Sequence, residues 1–115
     1  MAESGQVISC ETIASLNDQL HTANASMKLV VVNFTASWCG PSRSMIPILV
    51  ELAEKLPHVI FFKVDADDLK TVTRDFDVEA LPTFILLKQG NIVDKVVGAC
   101  KDELKQKITF HTSKA

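Results

Sequence analysis

The chain is poor in the features that mark several protein classes. It has only three cysteines in 115 residues, an odd and low count that does not make a disulfide scaffold. Its basic residues are scattered, with no Lys/Arg run and no interleaved aromatics, and the net charge is −2. Neither nucleic acid nor an anionic membrane surface is therefore expected as a partner. The apolar run from Leu29 to Phe34 falls far short of the roughly 20 residues a membrane span needs. The opening MAESGQV carries an early acid and no apolar h-region, so no signal peptide is expected and the expected compartment is the cytoplasm. His21, His58 and His111 stand alone, without metal-ligand spacing to a cysteine or to each other. Asp65, Asp67 and Asp68 lack the glycine and distal glutamate of a calcium loop and read as a solvated turn.

What remains is the make-up of one globular domain, residues 1–115, with 47% hydrophobic and 23% charged residues. Val7-Ile8 suggests a short edge strand. Ile13, Leu16, Leu20 and Ala23 have helical spacing within Glu11–Ser26. Lys28–Phe34 is β-branched and nearly continuous, as a strand buried on both faces would be. Met45, Ile46, Leu49, Val50, Leu52, Ala53 and Leu56 predict a helix over Arg43–Leu56, kinked at Pro47 and ended by Pro57. Val59–Val64 reads as a second buried strand, followed by a polar segment with a short helix around Leu69, Val72 and Phe76. Thr83–Leu87 and Ile92–Val97 flank Lys88-Gln89-Gly90-Asn91, a hairpin signal that makes them antiparallel. Lys101–His111 predicts a closing helix. The order β-α-β-α-β-α-β-β-α predicts an α/β fold with a mixed central sheet and helices on both faces.

The chemistry gathers at Ser37-Trp38-Cys39-Gly40-Pro41-Ser42-Arg43. Here a strand gives way to a helix, and Cys39 is placed against the unpaired N–H groups and positive end of the helix dipole. Both favour thiolate over thiol, as at other reactive cysteines of this kind. Pro41 suits the first helical turn, where a missing N–H costs little. Gly40 would let the backbone turn tightly beside the sulfur and let a substrate approach. Trp38 can cover one side as an apolar contact surface. A cysteine outside such a context is most often a small buried hydrophobe.

Phe34-Thr35-Ala36-Ser37-Trp38-Cys39-Gly40-Pro41 resembles the active-site segment of the thioredoxin family. Lys63-Val64-Asp65, Ala80-Leu81-Pro82-Thr83 and Val96-Val97-Gly98-Ala99 resemble three further family segments, and Gly5–Cys10 with Phe34–Ser37 resembles the plant h-type cytosolic branch. The resemblance runs from about Val7 to Ile108. It implies the thioredoxin fold, thiol–disulfide exchange with proteins that carry disulfides or thiols, and no resident cofactor. It implies that Pro82 is cis, although the residues alone favour trans. It also implies that Leu81, Pro82 and Thr83, with Trp38, Gly40, Pro41, Gly98 and Ala99, frame a groove where an extended substrate pairs with main chain. Lys63 resembles the family's lysine near a buried acid.

Two positions depart from the family pattern. The second active-site cysteine falls at Ser42, which cannot attack a mixed disulfide or form an internal one. The buried acid falls at Asn33, which cannot take a proton. Its amide is cheaper to bury than a carboxylate, or is simply satisfied by neighbouring backbone. Dithiol reductase activity is expected to be lost, while Cys39 can still attack and then wait for an outside thiol such as glutathione or a second substrate thiol. Three functions fit: a monothiol disulfide isomerase or glutathione-dependent oxidoreductase, an h-type disulfide reductase whose resolving cysteine was replaced to trap mixed disulfides, and a partner-binding module without sulfur chemistry. Both changes are near-isosteric, so a natural monothiol protein and an engineered trap both remain open. Cys10 and Cys100, read as exposed or half-buried, are candidate regulatory thiols or substitutes for the absent second thiol. The expected oligomeric state is a monomer or a weak or disulfide-linked dimer.

Overall fold

A computed structural model describes residues 5–113. The first residues of MAESGQV, Met1–Ser4, on which the absence of a leader was partly read, lie outside the described residues. The elements are β1 (Val7–Ser9), α1 (Ile13–Ala25), β2 (Leu29–Thr35), α2 (Gly40–Lys55), β3 (Ile60–Asp65), α3 (Lys70–Asp75), β4 (Thr83–Lys88), β5 (Asn91–Val97) and α4 (Lys101–Ser113). They form one five-stranded sheet in the order β1-β3-β2-β4-β5. β1 and β2 run parallel to β3, while β4 is antiparallel to both β2 and β5.

β2 lies at the centre because all seven of its residues can be buried, and all are. Its side chains alternate between two layers, as strand geometry requires. Leu29 and Val31 pack with Met45, Leu49 and Leu52 of α2 and with Leu104 and Ile108 of α4. Val30, Val32 and Phe34 pack on the opposite side with Leu16 and Ala23 of α1 and Val72 of α3. Phe34, Phe61, Phe62 and Phe84 are fully buried, each worth about 1.5–3 kcal/mol of transfer free energy. The mixed sheet with helices on both faces is the expected thioredoxin fold.

Local chemistry sets the ends. Thr12 caps α1, its Oγ1 accepting the Ser15 N–H at 3.0 Å. The β4–β5 hairpin turns through Gln89 and Gly90, both left-handed at φ of 52° and 84°, the twist a two-residue hairpin prefers. One boundary moves substantially. α2 begins at Gly40, three residues before the expected Arg43, and continues through Pro47. The apolar period starts only at Met45, whereas Gly40 and Pro41 occupy a first turn whose N–H groups need no intrahelical partner. Among the described residues, no helix is long and apolar enough to cross a membrane. No His/Cys/Asp/Glu group among them could hold a metal.

Candidate active site

β2 delivers the buried Thr35 and Ala36 to the end of the sheet, and the chain then turns outward through the exposed Ser37 and Trp38. Cys39 is the N-cap of α2, with extended φ and ψ of −92° and 114°. Its carbonyl accepts the Arg43 N–H at 3.0 Å, the first bond of the helix. The side chain is 8% exposed, and Sγ lies 3.7 Å from the Leu81 carbonyl oxygen.

The thiol is held below its ordinary pKa. The Ser42 hydroxyl and then the Ser42 backbone N–H are the main causes; burial opposes them, and the positive Arg43 adds to them. Ser42 is completely buried, and its Oγ has no hydrogen-bond partner. A thiolate supplies the acceptor this hydroxyl lacks. Ionisation at Cys39 therefore relieves one buried unsatisfied donor while the N-terminus of α2 offers others.

Two contacts fix the turn around the sulfur. Trp38 is 66% exposed, yet its indole Nε1 donates to Asp67 Oδ2 at 2.7 Å. Arg43 Nη1 donates to the Ser37 carbonyl at 2.9 Å. Asp67 is thus more than part of a solvated turn. Asp65 Oδ1 accepts the Asp67 and Asp68 N–H groups and shapes the turn, and Ala66 N–H bonds to Thr35 carbonyl at 2.9 Å. Because β2 and β3 are parallel neighbours, the residues after each strand emerge side by side. That topology was the signal available for pairing Trp38 with the acids of Asp65–Asp68.

Across from the sulfur, the Leu81–Pro82 bond is cis. Leu81 is half-buried, and Pro82 and Thr83 are buried. Thr83 Oγ1 donates to the Ala80 carbonyl at 2.6 Å. The Pro82 carbonyl accepts the Gly98 N–H at 2.8 Å, tying the loop to the end of β5. Gly98 has φ +97°, a region that favours glycine, and Ala99 beside it is exposed. Leu81 thus meets the sulfur directly, and hydrogen bonds join Thr83 to Ala80 and Gly98 to Pro82 within the same loop cluster, while Trp38 and Ala99 are exposed. Gly40 plays a narrower part than expected. It is helical, and a Cβ there would meet nothing within 4 Å. No tight turn requires glycine at that position; what its missing side chain leaves is open space over the exposed approach.

Residues 9–110 match the family described as Thioredoxin. The chain belongs to the thioredoxin family. It is 57% identical over 114 residues to the Thioredoxin H-type of Ricinus communis, covering 99% of this chain and 97% of the relative. It is 56% identical to Thioredoxin H1 of Arabidopsis thaliana, covering 96% of each chain. The crystal structure of a poplar wild-type thioredoxin h superposes with a TM-score of 0.92 at 36% identity, covering 96% of this chain and 99% of that one.

Against this thioredoxin frame the departures have definite places. Asn33 is completely buried, on the sheet face that carries Val31 and between Lys63 and Phe84 of the flanking strands. Neither amide atom has a hydrogen-bond partner. The expectation that backbone would satisfy Asn33 is corrected: the ladder uses main-chain groups on either side of it. Lys63 is half-buried and lines a cavity of about 400 Å³ with Cys10, Glu11, Thr35, Ile46, Asp65 and Asp68. Cys39 does not line that cavity.

The other thiols separate. All three cysteines are free. Cys10 is buried, not exposed or half-buried, because it follows β1 into the core with its N–H on the Lys63 carbonyl at 2.9 Å. Burial pushes its thiol pKa up. Cys100 is exposed beside Gly98, with Sγ 3.7 Å from the Val97 carbonyl.

Proposed function

We propose that the chain performs thiol–disulfide exchange on protein substrates through Cys39 alone, as a monothiol disulfide isomerase or glutathione-dependent oxidoreductase of the cytoplasm. The observation that carries this reading is the pairing of a pKa-lowered Cys39 at the start of α2 with a fully buried serine at position 42. The Cys39 thiolate attacks one sulfur of a substrate disulfide, forming a mixed disulfide and releasing the other substrate sulfur as thiolate. Ser42 cannot displace it. If a different thiolate on the substrate attacks the substrate sulfur of the adduct, a new disulfide forms, Cys39 leaves and the substrate is isomerised without net redox change; return of the freed thiolate only restores the original disulfide. If glutathione attacks the Cys39 sulfur, the substrate leaves as a thiol and a glutathionylated Cys39 remains, which a second glutathione clears as oxidised glutathione.

Intact-mass analysis after incubation with oxidised glutathione tests the site. One glutathione adduct, mapped to Cys39 and removed by excess thiol, is the expected result. An adduct confined to Cys100, or none, contradicts the proposal. The 50–57% identity to h-type thioredoxins also favours a second reading, a dithiol reductase stripped of its resolving thiol. Ser42→Cys combined with Asn33→Asp should then reduce insulin disulfides vigorously; continued inertness opposes this second reading.

A further inference from the structure

The sheet has one long open edge among the described residues. β1 ends one side after three residues, whereas β5 runs for seven and pairs only with β4. The β5 edge is also apolar in places: Ile92, Val93 and Val97 are all exposed. Such an edge is a ready template for another strand.

The direction of its main-chain groups follows from the register. Gly98 N–H bonds inward to the Pro82 carbonyl, and Lys95 stands opposite Ile85. Inward and outward residues alternate in an antiparallel pair, so Asp94 and Val96 bond toward β4 while Lys95 and Val97 face out. Both outward groups of Lys95 are already taken. Its N–H donates to Asp94 Oδ1 at 2.9 Å, and its carbonyl accepts from Lys107 Nζ of α4 at 2.9 Å. Lys107 also meets Asp94 Oδ1 at 3.0 Å and Glu103 Oε2 at 3.0 Å, so its three N–H donors have three acceptors. Asp94 Oδ2 pairs with His111 Nε2 at 2.9 Å. Asp94 and Lys107 are each only about a third exposed or less, at 26% and 32%. A register shift between Leu86 and Leu87, opposite Val93, interrupts the ladder at the other end of the strand.

We propose that β5 is a latent self-pairing surface, held shut by Lys107 and Asp94, whose partner when opened is a second copy of this chain. The cluster is built on the main chain of the edge rather than beside it, since Lys107 spends one donor on a strand carbonyl. Charge discriminates among the registers centred on Asp94, Lys95 and Val96. Two-fold antiparallel registers centred on Lys95 or on Asp94 set like charges opposite each other. The register centred on Val96 instead sets Lys95 against Val97 of the second copy, and it needs the Lys95 N–H and carbonyl to be free.

The test is the mass of the full chain by light scattering across a concentration series, in excess dithiothreitol so that disulfide-linked dimers do not contribute. Wild type is expected to stay monomeric. Lys107→Met combined with Asp94→Ala frees both the carbonyl and the N–H of Lys95 and is expected to approach a doubled mass, with the Lys95 amide protected from hydrogen exchange in the dimer. Val97→Lys added to that variant, placing lysine against lysine, is expected to return it to monomer. Lys107→Ala combined with Asp94→Ala opens the same two groups and is read in the same way, so the outcome does not depend on one variant folding. A protein carrying both Lys107→Met and Asp94→Ala that remains monomeric with wild-type exchange at Lys95, or a dimer that survives Val97→Lys, overturns the proposal.

Discussion

Cys10 and Cys39 are nearly matched in position and burial, and opposite in character. Each follows a strand of the parallel half of the sheet, and they are 2% and 8% exposed. Burial alone acts on Cys10 and pushes its thiol pKa up. Cys39 feels burial too, but the Ser42 hydroxyl and N–H outweigh it and Arg43 assists. What lowers the pKa of one thiol and not the other is the supply of donors at a helix start.

That contrast can be broken by substitution. Cys39→Ala should abolish the glutathione adduct and any isomerase turnover completely, as read by mass and by refolding of a scrambled-disulfide protein. Ser42→Ala removes the first cause of the lowered pKa and should make Cys39 behave more like Cys10. A lowered pKa enlarges the thiolate fraction below the ordinary thiol range, so the variant should alkylate more slowly at neutral pH and match wild type at alkaline pH. A pH series of iodoacetamide rates checks this. Asp67→Ala releases Trp38, and a loss of one net hydrogen bond of about 0.5–1.5 kcal/mol should raise KM for a protein disulfide roughly two- to tenfold, with kcat less affected. Cys10→Ala should leave the adduct at Cys39 unchanged and cost about 1 kcal/mol in urea unfolding, the scale of a small core cavity.

Much of the architecture was legible in the residues. Continuous β-branched runs located β2 and β3, the Gln89-Gly90 turn located the antiparallel hairpin, and helical spacing located α1, α2 and α4. The start of α2 was not legible from periodicity, because Gly40, Pro41 and Ser42 carry no apolar stripe. Cys39 stood out through its position between strand and helix. Asp67 did not, because its partner Trp38 lies 29 residues away and only the parallel pairing of β2 with β3 brings the two turns together. The burial of Cys10 was equally hidden: β1 is three residues long, too short for a pattern to reveal which side faces the core. The unsatisfied Asn33 depends on cross-strand register, which a strand's own sequence does not carry.

The central claim is that donors from Ser42 and the start of α2 lower the Cys39 pKa while no second thiol stands at position 42. Its most direct test is iodoacetamide labelling of the folded wild type across about pH 5 to 10, with each thiol followed by peptide mass. The account predicts that Cys39 labels with a midpoint clearly below the ~8.5 of a free cysteine, while Cys10 stays unlabelled until the protein unfolds. A Cys39 midpoint at or above that value, or a Cys39 as inert as Cys10, would contradict it.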